Sequence, residues 1–182
     1  MANWMVAIDE SEYALWAFNL AVSMMNIKTD TLFLYKSGQE TQLAFSVLSA
    51  VGYEYEMEHR KREKALCKKT LRIYFKKAQE VGITPILIMG FNDHAGDGIC
   101  RAVKEKGVHH LVLGRRDMHS LVRVFVGSTT MYCLTNAECN VVVAKKPFGA
   151  IEEHTPLQDT KDMEEIERQR RVIASFVFES FF

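Results

Sequence analysis

Gly127, followed by Ser128, Thr129 and Thr130 and preceded at the other end of a loop by Gly114, is the grouping in this chain best suited to chemistry. The stretch HLVLGRRDMHSLVRVFVGSTTMYCLTNAECNVVVAK, His110 to Lys145, reads as a buried strand over Leu111 to Leu113 and a loop opening at Gly114. A helix beginning near Ser128 and a strand over Val141 to Ala144 follow. A strand that runs into a glycine loop and then a helix start collects backbone N–H groups around phosphate. The unpaired N–H groups and positive dipole end of the helix favour phosphate oxygens, and the hydroxyls of Ser128 and Thr129 can donate as well. An isolated Gly-Ser pair usually does no more than turn and cap a helix, but the strand and loop before it make nucleotide binding the first expectation.

Other chemistries find less support. There is no GxxxxGK[ST] phosphate loop and no GxGxxG after the first strand, where Asp9-Glu10-Ser11-Glu12 places carboxylates instead, so a Rossmann dinucleotide site is disfavoured. Asp9 is open to three roles: accepting hydrogen bonds from a base or ribose, holding a metal beside a triphosphate, or ending the strand and capping the helix. The cysteines (Cys67, Cys100, Cys133, Cys139) show no zinc spacing and are expected to be reduced and mostly buried. His109 and His110 alternate sides of a strand and read as structural, Asp93 and His94 as a surface loop near the ligand end of the sheet. No Ser/His/Asp or Cys/His arrangement can be assembled, so dedicated catalysis is not expected.

The elements that must position these residues follow from periodicity. Met5 to Ile8 is a continuous apolar run, as in a strand covered on both faces. Ser11 then caps a helix with Ala14, Ala17, Phe18, Ala21, Val22 and Met25 on its apolar stripe. Thr31 to Tyr35 is strand two, Gln39 to Val51 a helical insert, and Glu54 to Glu80 a long helix with Cys67, Leu71, Tyr74, Phe75 and Ala78 in one stripe. Ile83 to Met89 is strand three, with Pro85 placing its start at an edge or outside the ladder. Ile99, Ala102 and Val103 mark a short helix stopped by Gly107. Val108 to Leu113 is strand four, Ser128 to Asn136 a helix and Asn140 to Lys145 strand five. This alternation predicts an α/β fold: a doubly wound, Rossmann-like five-stranded parallel sheet with right-handed crossovers. In such a sheet ligands bind outside the carboxyl ends of the strands where the order reverses. With strand one central, that point lies between strands one and four, at Ile8, Asp9, Leu113 and Gly114.

After residue 147 the composition changes. Residues 1–147 are expected to form the nucleotide-binding domain, and 148–182 a linker and an amphipathic tail helix ending in VIASFVFESFF that docks onto its own domain or a dimer mate. At 182 residues, 48% hydrophobic and 25% charged, with Lys+Arg and Asp+Glu both at 23, the chain has the balance of a soluble globular protein with one core. No global charge points to nucleic acid or membrane. Nine basic residues crowd the long helix from Arg60 to Lys77, and a solvated face is the expected reading because Glu54, Glu56 and Glu58 precede them. The apolar run Trp4 to Ile8 is too short for a signal-peptide core, and nowhere do about 18 apolar residues occur in a row, so the cytoplasm is the expected location.

These motifs resemble the universal stress protein family, whose nucleotide-binding pattern G-x2-G-x9-G-[ST] stands here as Gly114-x2-Asp117-x9-Gly127-Ser128, with Asp9 matching its strand-one aspartate. NAECNVVVAKK is also similar to the family's closing helix and strand, and the resemblance runs from Met5 to Pro147. It implies strand order 3-2-1-4-5, dimers paired through strand five, and an ATP-binding regulatory or sensor module in stress response. The alternatives are a dimeric interaction protein that binds no nucleotide, or a slow ATP hydrolase or nucleotidyl transferase. By position, Ile8 and Asp9 would face adenine and ribose, Leu113 and Gly114 would approach the sugar, and Gly127, Ser128 and Thr129 would hold the phosphates, with Arg115 and Asp117 also among the cofactor-binding residues. Asp117 replaces the second glycine; a carboxylate about 5 Å from a phosphate would repel it by roughly 3 kcal/mol at an effective dielectric near 20, about a hundredfold in affinity. Arg115, Arg116 and Arg123 offsetting that charge, an outward Asp117, and a shared Mg2+ are the ways to retain ATP.

Overall fold

In the computed structural model, which describes residues 1–39, 50–115 and 127–146, strand β1 (Asn3–Ala7) is the middle of a five-stranded sheet. Trp4, Met5 and Val6 are all buried, as a strand with cover on both faces requires. Around it lie α1 (Glu12–Met24), β2 (Thr31–Gln39), α2 (Ala50–Glu80), β3 (Ile86–Asn92), α3 (Ala95–Glu105), β4 (His110–Gly114), α4 (Ser128–Asn136) and β5 (Asn140–Ala144). Every pairing is parallel, and the order is β3-β2-β1-β4-β5. β1 therefore has β2 on one side and β4 on the other, in register Val6↔Leu34 and Val6↔Val112.

Alternation along the strands sends side chains to two cores. Trp4, Val6 and Ile8 join Leu32, Leu34 and Val112 beneath α1 and α2, whose Phe18 and Tyr74 rings meet edge to face at 5.6 Å. Met5, Phe33, Tyr35, Leu111 and Leu113 face the other way, against Ile99, Ala102 and Val103 of α3 and Cys133 of α4. The two histidines at the start of β4 take structural positions: His109, just before the strand, accepts at Nδ1 from the Asn3 N–H at 2.9 Å, and His110, its first residue, stacks on Trp4 at 4.2 Å.

Several boundaries differ from the sequence expectation, β2 and β3 most. β2 continues past Tyr35 to Gln39, because Ser37, Gly38 and Gln39, which look like a turn, pair with Gly90, Phe91 and Asn92 of β3. This also takes Gln39 out of the expected helical insert; residues 40–49 of that insert lie outside the described residues, and its last two belong to α2. β3 starts at Ile86 instead of Ile83. Pro85 has no N–H to give a ladder, and Ile83 serves the end of α2: with Gly82 at φ +79°, the Ile83 N–H reaches back to Ala78 O at 2.8 Å and its side chain is buried. The tail from 147 onward lies outside the described residues.

Candidate functional site

The carboxyl ends of β1 and β4 lie side by side, and two helix starts close over them. Ile8 follows β1, buried, with its N–H bonded to Tyr35 O at 2.9 Å, which fixes the backbone from which Asp9 projects. Asp9 Oδ1 accepts from the Ser11 N–H at 2.9 Å and from the Ser11 hydroxyl, while Ser11 Oγ accepts from the Ala14 N–H at 3.4 Å. One carboxylate oxygen thus builds the turn into α1, the plainest of the three roles open to Asp9.

Gly114, at the end of β4, lies against the first turn of α1. A Cβ there would sit 2.5 Å from the Tyr13 carbonyl oxygen and 2.6 Å from its carbon, and backbone cannot swing away as a side-chain tip can. The Gly114 carbonyl accepts from Thr130 Oγ1 of α4 at 3.4 Å, and the Arg115 N–H continues the ladder to Ala144 O at 2.8 Å. Gly114 is therefore where α1, β4 and α4 converge.

Gly127 is different in kind. It is the N-cap of α4 at φ −52°, ψ 150°, a conformation open to any residue, and has no side chain with which to cap. Among the described residues nothing lies within 4 Å of where its Cβ would be. The first helical bond of α4 runs from the Met131 N–H to Gly127 O at 2.9 Å, so the N–H groups of residues 128–130 precede the i→i−4 ladder. Ser128 is exposed, Thr129 half-buried and Thr130 buried. A bare N-cap followed by three amide protons outside the helical ladder is an arrangement that suits an anion.

The structure thus brings Ile8, Asp9, Leu113 and Gly114 to neighbouring strand ends and links Gly114 to the first turn of α4 through Thr130. Asp117, Arg116 and Arg123 lie outside the described residues.

Sequence reasoning missed the polar cluster beside this site. Glu10 turns inward, with its carboxylate 3.2 Å from Lys36 Nζ and 3.0 Å from the donating Thr70 hydroxyl, so residues from the β1–α1 turn, β2 and α2 meet. Burial pushes the Glu10 carboxyl up, but the Lys36 charge and the hydrogen bonds outweigh it and hold the group below the ordinary carboxylate range. The lysine closing the run LFLYK was the available signal. Burial pushes the Cys133 thiol up to about 12 and raises Cys67, Cys100 and Cys139 as well, which suits inert packing thiols and not nucleophiles. Among the described residues, no group of three or more His, Cys, Asp or Glu could hold a metal ion, and no helix is long and apolar enough to cross a membrane.

Comparison with known proteins agrees with this architecture. A universal stress protein A-like protein of Arabidopsis thaliana is 32% identical over 76 residues, 42% of this chain and 43% of that relative, so less than half of the relative is matched. Among solved structures, a universal stress protein family protein from Arabidopsis thaliana with AMP bound is 21% identical at a TM-score of 0.60, covering 81% of this chain and 93% of that one. The universal stress protein UspA of Lactobacillus plantarum is 24% identical at a TM-score of 0.56, covering 79% and 97%. A universal stress protein in complex with cAMP is 18% identical at a TM-score of 0.57, covering 79% and 96%. At these identities the structures establish the fold. The sequence pattern of the universal stress protein family matches residues 1–145, and the chain belongs to that family.

Proposed function

We propose that the chain binds an adenine nucleotide, ATP with Mg2+ in the first instance, in the crevice between β1 and β4, and acts as a dimeric regulatory module in the stress response of the cytoplasm. One observation carries the binding site. Every other glycine with described surroundings has an internal reason to lack a side chain: a Cβ would collide at residues 38, 90, 96, 98 and 114, and φ is positive at 82 and 107. Among the described residues Gly127 has neither reason, and it stands at the N-cap directly before the amide protons of α4, where phosphate oxygens would accept. The AMP and cAMP complexes of proteins with this fold support an adenine nucleotide as the occupant.

In this reading Ile8 and Asp9 face the base and ribose, Leu113, Gly114 and Arg115 line the sugar, and Gly127, Ser128 and Thr129 hold the phosphates. Occupancy would act by changing the dimer or partner surface, not by turnover. The expected dimer pairs through β5, whose Val141, Val142 and Val143 are only half-buried at a sheet edge beside the exposed Met131 and Leu134 of α4. Calorimetric titration with ATP, with and without Mg2+, tests the proposal. Binding that depends on Mg2+, and that Asp117→Gly tightens on the order of a hundredfold in metal-free buffer, is the expected result. Absence of binding under both conditions would refute it.

A further inference from the structure

The zero net charge of this chain conceals two opposed blocks. Between His59 and Gln79 stand nine basic residues and one acid, Glu63; between Glu152 and Glu167 stand seven acids and one lysine. The structure shows how the basic block is displayed. Lys61, Lys64, Lys68, Arg72 and Lys76 are all exposed. At 100° per residue they fall within about 120° of the α2 circumference and run for about 22 Å. The nearest upstream acids are already taken within the helix, Glu56 by Arg60 at 2.8 Å and Glu58 by Arg62 at 3.3 Å. Among the described residues, no carboxylate lies within ion-pair distance of these five cations. Ala65 and Ile73 lie among them and, with Lys68, Arg72 and Lys76, line a groove.

We propose that this stripe is the docking surface for the acidic segment 152–167 of the same chain. Its acids, Asp159, Asp162, Glu164, Glu165 and Glu167 chief among them, pair with the α2 cations, and its Leu157, Met163 and Ile166 supply apolar contacts for the groove floor. The chain leaves β5 on the correct side of the sheet: Lys146 Nζ stands 5.7 Å above the ring of Trp16 in α1, and α1 shares its face of the sheet with α2. From Lys146 to Asp159 the backbone can span about 45 Å, well beyond the roughly 14 Å radius of gyration of a domain this size. A tethered partner acts at millimolar effective concentration, above any free polyanion at micromolar levels. The stripe also carries no fully exposed aromatic on which bases would stack, since Tyr74 is buried and Phe75 half-buried. Opposite charge in cis is therefore a better match than nucleic acid. The inference does not depend on nucleotide binding.

Two measurements on the full chain test it. Carbodiimide coupling followed by peptide mass analysis should join Lys61, Lys64, Lys68 or Lys76 to acids within 159–167. The yield should be independent of protein concentration and lost at high salt. Absence of these pairs, or their formation only between isotopically distinct copies, overturns the proposal. The second measurement uses a variant in which Asp159→Asn, Asp162→Asn, Glu164→Gln, Glu165→Gln and Glu167→Gln together uncover the stripe without touching the helix. A labelled single-stranded oligonucleotide, used as a polyanion probe, should then bind at least tenfold tighter than to the parent. Its affinity should fall on the order of a hundredfold between 50 and 200 mM salt, as five neutralised phosphates require. Equal affinity of parent and variant overturns the proposal.

Discussion

Gly127→Asp should make the protein more stable and less able to bind ATP. The substitution gives α4 the side-chain N-cap that Gly127 lacks, worth a few tenths of a kcal/mol over glycine. A carboxylate at the positive end of the helix adds about 0.3–1 kcal/mol, and losing a glycine from the unfolded chain adds about 0.4–1 kcal/mol where the native φ and ψ suit any residue. Gly127 meets that condition, and its Cβ has nothing to strike among the described residues. The sum is about 1.5 kcal/mol, or roughly 3–6 °C in Tm for a chain of this length. The same carboxylate would stand about 5 Å from a bound phosphate, a repulsion of roughly 3 kcal/mol and an affinity loss on the order of a hundredfold. Differential scanning calorimetry with and without Mg-ATP reads both effects: Tm rises without nucleotide, and the ATP-induced increment disappears. A lower Tm, or an undiminished ATP increment, would refute the claim that the space at Gly127 is kept for phosphate.

The remaining expectations concern the frame around the site. Gly114→Ala should lower Tm by about 4–8 °C, because its methyl meets the Tyr13 carbonyl oxygen at 2.5 Å and the first turn of α1 must move at a cost of about 2 kcal/mol; an unchanged melting curve would count against that contact. Lys36→Met leaves the Glu10 charge buried without its cation and should cost about 3 kcal/mol in urea unfolding, whereas the double variant with Glu10→Gln should recover most of it, and simple additivity would deny the coupling. Asp30 accepts from the N–H groups of Asn26 and Ala2 and from the Trp4 indole, and the Asn26 bond foremost lowers its pKa to about 2 from 3.8. A depressed folded-state pKa stabilises above the unfolded value and ceases to as pH falls through the folded one. The stability gap between the parent and Asp30→Asn should therefore be full above pH 4 and close by about pH 2, and a gap insensitive to pH in that window would refute the assignment.

The strands and their order were legible because each signal is local. Met5 to Ile8 and Leu111 to Leu113 are apolar on both faces, so they had to be interior, and the alternation with helices required parallel pairing. The placement of Ile8 and Asp9 beside Leu113 and Gly114 followed from that order. What stayed hidden depends on partners distant in sequence. Ser37 to Gln39 resemble a turn until β3 is laid against them, and a Cβ on Gly38 would strike the Phe91 ring at 2.4 Å. The Glu10, Lys36 and Thr70 cluster unites three elements that no spacing rule connects.

The two described motif glycines carry different physical information, and this decides how the departure at Asp117 is weighed. Gly114 is demanded by the approach of α1 to β4, so any chain with this fold and this helix position would keep it whether or not it bound a ligand. Its presence testifies to packing. Gly127 is demanded by nothing in the described protein, so its bare backbone is the part of the pattern that speaks for an external occupant. A chain that had abandoned phosphate would gain stability at once from Ser, Asp or Asn at that N-cap, since each completes the helix start that glycine leaves open. In the proposed function, the bare N-cap at Gly127, next to an exposed Ser128 and three amide protons ahead of the helical ladder, is the feature a phosphate would use. If the proposed function holds, the carboxylate of Asp117 modifies affinity and metal dependence without removing the site, and titration of Asp117→Gly against the parent with and without Mg2+ separates the two outcomes.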